Sequence, residues 1–189
     1  MPRIIYIIAG VGIALILIFL IFFGFDSGQN PSNTGKKAVV LADQAFSDVS
    51  VSATIDSAIK GDDVHRAIKI TIDNQNRTLT VYQGYQGTVL KSQSLDNNPT
   101  AFKQFLAALQ TSGFLLSKKT NIVSVDGQCP LGLRYIYASS GIEDIPNNLW
   151  ATSCSAKVGT FAGNASLINR LFQNQITNYN DLVFGVKLY

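Results

Sequence analysis

The sequence predicts an α+β protein, in which an N-terminal transmembrane helix precedes a mainly antiparallel sheet with two packed helices. Three observations predict this class. An uncharged apolar run extends from Ile4 to Phe25, strand-like alternation recurs from about residue 51, and two later stretches have the period of an amphipathic helix. The strands follow one another without regular alternation with helices, a pattern typical of antiparallel pairing.

The N-terminal run is long enough to cross a bilayer. Ile4 to Phe25 carries no charged residue, and as a helix it would span roughly 33 Å, about the thickness of the hydrocarbon core. A cleaved signal peptide has a shorter apolar region and a small-residue cleavage site, which Phe23 to Ser27 does not provide. We therefore predict an uncleaved signal-anchor over residues 1–25, with a cleaved signal as the alternative.

Charge favours one orientation of this anchor. Arg3 and the amino terminus precede the apolar run, whereas Asp26 follows it directly, so the positive-inside rule favours an N-terminus in the cytoplasm. We predict a single-pass protein of the cytoplasmic membrane that contacts the lipid bilayer through residues 4–25 and carries its C-terminal domain outside.

A polar segment separates the anchor from the folded domain. Residues 26–37 contain no apolar residue other than Pro31, so they cannot bury a core and we expect a flexible linker. The mean hydropathy of the whole chain is +0.19, and without the apolar run it falls to roughly −0.2, an ordinary value for a soluble domain. We predict an extracytoplasmic α+β domain over residues 38–189.

Three short stretches, at 51–55, 68–72 and 78–82, alternate apolar and polar residues with the period of two that half-buried strands have. Further strands are expected at 88–94, 133–138, 149–153 and 184–189. Asp73 to Asn76 supplies turn residues between the second and third, so 66–82 should form a hairpin, and Gly84 to Gly87 is a second turn. The C-terminal stretch is expected to be an edge strand.

Two segments carry apolar residues at helical spacing. Asn98 and Pro99 fit the N-cap and first position of a helix, and Gly113 fits the position after its C-terminal cap. The buried stripe of this helix should be Phe102, Phe105, Leu106 and Leu109. A second helix is expected over Ala165–Ile176, capped by Asn164. Its buried residues should be Ile168, Leu171, Phe172 and Ile176.

Cys129 and Cys154 are the only cysteines. If they face each other across a hairpin, its centre falls at residues 141–142, and Leu133 faces Trp150. A disulfide there could close the open end of the hairpin and, with a loop of about 25 residues, would contribute roughly 3.5 kcal/mol. Such a bond needs an oxidising compartment, which agrees with a domain outside the membrane. The alternative is two buried free thiols in a cytoplasmic domain.

The chain lacks the residue patterns of common catalytic, metal and nucleic-acid sites. Its only histidine, His65, lies in a polar turn beside Asp62 and Asp63, so we expect a surface histidine. No nucleophile-elbow, zinc-protease, P-loop or dinucleotide motif is present. The doublets Lys36-Lys37 and Lys118-Lys119 have no aromatic residues interleaved, and the net charge is only +3, which does not indicate nucleic acid. One histidine and two cysteines are too few for a closed zinc site. We predict no catalytic residue, no metal and no cofactor.

Two tyrosines stand close together at a predicted hairpin tip. Tyr82 and Tyr85 belong to the run Tyr82-Gln83-Gly84-Tyr85-Gln86-Gly87, and tyrosine is a preferred contact residue in protein interfaces. We therefore single out Tyr82 and Tyr85 as candidate binding residues. The alternative is that one ring packs back on the sheet.

From about Val51 to its end, the chain resembles an uncharacterised family of small, signal-anchored bacterial surface proteins. The matching residues are His65-Arg66, Gly84-Tyr85-Gln86-Gly87, Asn97-Asn98, Cys129-Pro130-Leu131-Gly132, Trp150-Ala151-Thr152-Ser153-Cys154, Gly159-Thr160-Phe161 and Leu171-Phe172-Gln173-Asn174-Gln175-Ile176. The resemblance implies the same anchored layout and a Cys129–Cys154 pair, and it supplies no activity.

The leading hypothesis is a non-enzymatic, membrane-anchored extracytoplasmic domain that binds an extracellular or envelope protein or glycan, or supports envelope structure. A cell-wall-active enzyme is the first alternative, and a deep pocket joining His65 or Glu143 to a second titratable group would favour it. A protease-inhibitor-like module, with a disulfide-braced loop at Ile142–Asn148, is the second.

Overall fold

A computed structural model describes residues 39–143 and 148–189. The strands are β1 Ser50–Asp56, β2 Arg66–Asp73, β3 Asn76–Gln83, β4 Thr88–Asp96, β5 Arg134–Ser140 and β6 Asn148–Thr152. The helices are a 3-10 helix at Leu41–Gln44, α1 Pro99–Thr111, α2 Ala165–Gln173 and the short α3 Tyr179–Leu182. The strands form one sheet in the order β4-β3-β2-β1-β5-β6, with every neighbouring pair antiparallel. The predicted antiparallel sheet with packed helices is confirmed.

One face of the sheet and the helices enclose the core. In the sheet register Ile70 of β2 lies opposite Ala53 of β1 and Leu79 of β3, and all three are buried. The two longer helices contribute to the same core, where the rings of Phe105 on α1 and Phe172 on α2 meet edge to face with their centroids 5.1 Å apart. The predicted stripe of α1 is confirmed, because its four apolar residues are all buried.

Three of the four predicted ends of the two longer helices are confirmed, and each of these three has the predicted capping residue. The side chain of Asn98 accepts a hydrogen bond from the amide of Ala101, and Pro99 is the first residue of α1. Gly113 follows the C-terminal cap with φ 85°, a left-handed conformation that favours glycine. Asn164 caps α2. That helix ends at Gln173, three residues before the predicted end, although Ile176 is still buried.

The other face of the sheet, which we call the outer face, is polar over β3 and β4. Hydroxyl pairs cross the strands there, with 3.1 Å between Oγ1 of Thr78 and Oγ of Ser94. Over β5 and β6 the outer face is covered by the segment 117–131. The indole Nε1 of Trp150 donates a 3.0 Å hydrogen bond to the carbonyl of Val123 in this segment, and Trp150 is only 4% exposed.

Two of the predicted strand features are wrong. Residues 184–189 contain no strand: Gly185 adopts φ 80° in a turn, and the alternation of Val186 and Leu188 reflects packing against the core without pairing to a sheet edge. The register of the β5–β6 hairpin also differs, since Trp150 lies opposite Ile136 and not Leu133. Its cysteines lie outside the strands, so they do not define the strand register.

The predicted transmembrane helix falls on residues 4–25, which lie outside the described residues. Within residues 39–143 and 148–189, no helix is both long enough and apolar enough to cross a membrane. The described residues from Val39 onward form one compact unit.

Burial of tyrosine in the core gives the fold an expected sensitivity to alkali. Loss of water raises the pKa of Tyr137 above the ordinary value of 10.0; the hydroxyl lies 3.0 Å from Oδ1 of Asn169. Burial likewise raises the pKa of Tyr135, with a smaller effect from Tyr189, and the pKa of Tyr179. The folded protein holds these phenol protons more tightly than the unfolded chain does. The contribution of the buried tyrosines to the free energy of unfolding is therefore complete below about pH 10 and falls as the pH rises above it.

We expect the absorbance of ionised tyrosine at 295 nm to rise in two stages on alkaline titration. The buried tyrosines, whose pKa is raised, should ionise only as the protein unfolds and so account for the second stage. The Tyr137→Phe variant should lose one tyrosine from the second stage. A single transition near pH 10, with native circular dichroism preserved throughout, would contradict the buried positions.

Candidate functional site

The end of β1 presents a carboxylate on the outer face of the sheet. Because successive side chains of a strand point to opposite faces, Asp56 points away from the core that the apolar residues of β1 help to form. The register pairs Asp56 with Ala67 on β2 and with Arg134 on β5. Facing residues on antiparallel strands have their Cβ atoms about 5 Å apart, so the sheet brings Asp56 and Arg134 side by side from distant parts of the chain.

Asp56 contacts an arginine and a histidine. Its Oδ2 lies 2.7 Å from Nη2 of Arg134, and its Oδ1 lies 2.9 Å from Nε2 of His65. Nη2 of Arg134 also donates a 2.7 Å hydrogen bond to the carbonyl of Ser57. His65 and Arg134 are 3% and 4% exposed, while the side chain of Asp56 is 20% exposed. We call Asp56, His65 and Arg134 the Asp56 cluster.

The prediction of a surface histidine is wrong. The acids that flank His65 in the sequence are exposed, but His65 itself is buried and its carboxylate partner is Asp56 on the neighbouring strand. The covering group comes from the turn between β3 and β4, where the ring of Tyr85 stacks on the imidazole with centroids 4.1 Å apart and 25° between the planes.

The polar atoms of the Asp56 cluster are incompletely hydrogen-bonded. Among the described residues, Nδ1 of His65 and Nε of Arg134 have no partner, and the short contact from Nε2 of His65 to Asp56 is not aligned as a hydrogen bond. A buried polar group without a partner costs about 1–3 kcal/mol. Such groups are rare in native proteins and require a specific explanation, such as a bound water, an ion or a functional role. The Asp56 cluster is therefore our candidate functional site.

Tyr85 is held over the cluster by the backbone around it. Its hydroxyl bonds both the amide of Lys60, at 3.1 Å, and the carbonyl of Lys60, at 2.9 Å. Its own amide donates a 2.8 Å hydrogen bond to Oδ1 of Asp62. The preceding Gly84 has φ 71°, and a Cβ there would lie 2.7 Å from the same carboxylate oxygen. Glycine is therefore required for this turn to close on Asp62.

The two candidate tyrosines have different surroundings. Tyr85 is 54% exposed although one face of its ring covers His65. Tyr82 is half-buried within β3, opposite Ala67 and Val89 at an irregularity in the register. No contact between the two rings is found among the aromatic pairs of the described residues. Their role in binding stays a prediction.

A cleft of about 250 Å³ opens beside the Asp56 cluster. We call it the Tyr85 cleft. Its walls include Tyr85 and Ile59 on one side and Val125 and Asp126 of the 117–131 segment on the other, and Asp56 and Arg134 also line it. This volume is smaller than the roughly 300–1,000 Å³ of sites for drug-sized ligands. The cleft therefore matches one side chain or one sugar-sized group.

The disulfide fixes one border of this site. Cys129 and Cys154 are bonded, with their Cα atoms 5.6 Å apart, so the predicted disulfide is confirmed. Cys129 has φ 50° and begins a tight turn closed by the amide of Gly132 on its carbonyl, at 3.1 Å. β5 begins two residues later with Arg134, so the bridge holds the chain where the guanidinium enters the cluster.

The nucleophilic and basic groups nearest the cleft are engaged within the protein. The nearest hydroxyl in the sequence, on Ser57, is fully buried and bonds the backbone of Ala58 and Arg66. His65 lies beneath a tyrosine and does not line the cleft. Within the described part of the chain, no group of three His, Cys, Asp or Glu residues has the arrangement of a metal site. Glu143 is exposed on the connection after β5.

Sequence reasoning missed Asp56 and Arg134. Each has a recognisable local signal. Asp56 is a charged residue at the end of one predicted strand, and Arg134 is a charged residue at the start of another. Their proximity depends on the pairing of β1 with β5, and nothing local in the sequence indicates that pairing. The Ile142–Asn148 loop of the protease-inhibitor alternative includes residues 144–147, which lie outside the described residues.

Comparisons with protein-family models, with curated protein sequences and with solved structures find no match to this chain. The resemblance to signal-anchored bacterial surface proteins therefore stays a prediction.

Proposed function

We propose that this chain is a single-pass, membrane-anchored extracytoplasmic binding domain, and that it holds its ligand in the Tyr85 cleft. The anchor is supported by the uncharged run of residues 4–25. The location outside the membrane is supported by the Cys129–Cys154 disulfide, since such bonds persist mainly in oxidising compartments. The observation that carries the binding function is the cleft between Tyr85 and the 117–131 segment, with a buried arginine and a half-buried carboxylate in its lining.

The lining of the cleft favours a small ligand group rich in hydrogen-bond donors. Asp56 and Asp126 provide carboxylate acceptors, while Arg134, the only cation that the described residues contribute to the lining, already contacts Asp56 and Ser57. Tyr85 and Ile59 add an aromatic and an aliphatic wall. Sugar hydroxyls and protein amides both offer this combination of donors and apolar surface. The partner is accordingly an envelope or extracellular protein or glycan.

Site-specific photo-crosslinking in intact cells tests this proposal. A benzoylphenylalanine placed at Ile59, which is exposed and lines the cleft, should give a discrete adduct in the full-length chain. The same group at Lys103, which is exposed on α1 and so on the core side of the sheet, should not give that adduct. Tyr85→Ala should reduce the Ile59 adduct at least about fivefold, because truncating an aromatic anchor typically removes more than about 1 kcal/mol of binding.

The Tyr85→Phe variant is the control for effects of the substitution on folding. Tyr85→Ala loses the stack on His65 and the hydroxyl contacts with Lys60, and we expect a cost of about 1 kcal/mol, or a melting temperature lower by about 2–4 °C. Tyr85→Phe keeps the stack and should keep most of the adduct. Equal adducts from positions 59 and 103, or an Ile59 adduct that Tyr85→Ala leaves unchanged in folded protein, would exclude the cleft as the binding site.

A further inference from the structure

Three apolar side chains are exposed on the segment that follows α1. Leu116, Ile122 and Val123 are 56%, 41% and 76% exposed. The backbone beneath Val123 is fixed, because its carbonyl accepts the indole hydrogen bond of the buried Trp150. Exposed apolar side chains that are neighbours and are rimmed by polar residues are a feature of surfaces that contact a partner or a membrane.

Lysines lie in the same segment as these apolar residues and next to it. Lys118 and Lys119 lie within the same segment and line one shallow depression with Val123. The ammonium of Lys118 donates a 2.7 Å hydrogen bond to the carbonyl of Ala156, which places it beside the residue preceding Lys157. Two ion pairs are found among the described residues, and none of these three lysines takes part in either of them. We call the segment 116–123 together with Lys157 the basic apolar patch.

The chain enters the described domain close to this patch. Residues 1–38 continue into Val39, whose carbonyl lies 3.5 Å from Nε2 of Gln110, and the amide of Leu41 donates a 2.7 Å hydrogen bond to Oε1 of the same side chain. Gln110 is in the last turn of α1. From there the chain passes directly into the patch through a tight turn, in which the amide of Leu116 bonds the carbonyl of Gly113.

We infer that the basic apolar patch docks on the headgroup region of an anionic lipid surface and so holds the domain against its own membrane. This inference rests on the membrane anchoring proposed above. An anionic bilayer offers phosphate groups to the lysines and a headgroup–acyl boundary to Ile122 and Val123. Each lysine near such a surface raises binding about fivefold. The linker 26–37 reaches at most about 43 Å when fully extended, so it keeps the domain near the bilayer.

Trp150 provides a built-in reporter of this contact. It is the only tryptophan of the chain, and it lies directly beneath Val123. The full-length chain is reconstituted in nanodiscs whose lipids carry brominated acyl chains, which quench tryptophan at short range. We expect Trp150 fluorescence to fall at least twofold in nanodiscs containing phosphatidylglycerol, and to change little in purely zwitterionic phosphatidylcholine. Addition of about 0.5 M salt should reverse much of the quenching, because it screens exposed charges.

Substitutions test whether the quenching depends on the basic apolar patch or on another part of the surface. Lys119→Glu and Val123→Asp should each restore most of the fluorescence, whereas Lys103→Glu on α1 should leave the quenching unchanged; unchanged thermal unfolding shows that each variant is folded. A chain that does not remain with the nanodiscs would contradict the proposed anchor. A chain that remains but shows no quenching, or quenching that Lys119→Glu and Val123→Asp do not relieve, would overturn the docking inference alone.

Discussion

The Asp56→Ala variant is expected to melt about 6–12 °C below the parent protein. Removing Asp56 leaves Arg134 buried with only the carbonyl of Ser57 as a described partner, and it also removes the carboxylate beside His65. Breaking a buried ion pair by deleting one partner costs about 3–5 kcal/mol. We expect the lower end, about 3 kcal/mol, because Asp56 is 20% exposed and water can partly replace it. For a domain of this size, each 1 kcal/mol shifts the melting temperature by about 2–4 °C.

Thermal unfolding of the full-length chain, followed by the fluorescence of Trp150, measures this loss. Asp63→Ala is the matched control, since Asp63 is an exposed acid near His65 in the sequence and its removal should change stability by no more than about 0.5 kcal/mol. The double variant Asp56→Ala with Arg134→Met should be more stable than Asp56→Ala alone, because no unpaired buried charge remains. Equal melting of Asp56→Ala and Asp63→Ala would mean that the cluster does not stabilise the fold.

The features that the sequence predicts well are local. Asn98 and Pro99 determine the start of α1 through their own side chains and ring, and the turn at residues 73–76 is closed by Asp73, whose Oδ1 accepts from the amides of Gln75 and Asn76. These interactions join residues at most three positions apart. A single sequence is sufficient to recognise them.

The candidate site depends on contacts that no local pattern encodes. His65 is buried because Tyr85, from the following hairpin, folds over it, and Asp56 meets Arg134 because β5 pairs with β1 across a long connection. The turn residues around His65 indicate a surface position, and only the neighbouring strands reverse that conclusion. The residue type of Tyr85 and its position at a hairpin tip indicate a contact residue, and the structure adds the cleft beside it.

The β5–β6 hairpin shows how a correct contact can be predicted from a wrong register. Cys129 and Cys154 do close the open end of the hairpin, yet the strands pair three positions away from the arrangement that centres on the cysteines. The reason is the turn at residues 129–132, in which Cys129 takes a left-handed conformation. A disulfide constrains two Cα atoms and leaves the intervening register to side-chain packing.

Loss of the Cys129–Cys154 disulfide is expected to lower the melting temperature by about 7–14 °C. The bridge closes a loop with a sequence separation of 25 residues, for which the chain-entropy model gives about 3.5 kcal/mol, and the conversion to temperature is the same as for Asp56→Ala. The bridge also holds the turn that precedes Arg134. The double variant Cys129→Ala with Cys154→Ala should therefore show the full loss, as should the parent protein after complete reduction.

The response to reductant distinguishes the bridge from the side chains themselves. The double alanine variant should melt at the same temperature with and without reductant, whereas the parent should lose stability only when reduced. Thiol titration of the denatured full-length protein, isolated from cells with alkylating agent present, should find no free thiol. Two titratable thiols per chain would contradict the disulfide in the cell. They would also remove the main support for an oxidising compartment, because the uncharged run of residues 4–25 alone does not decide on which side of the membrane the domain lies.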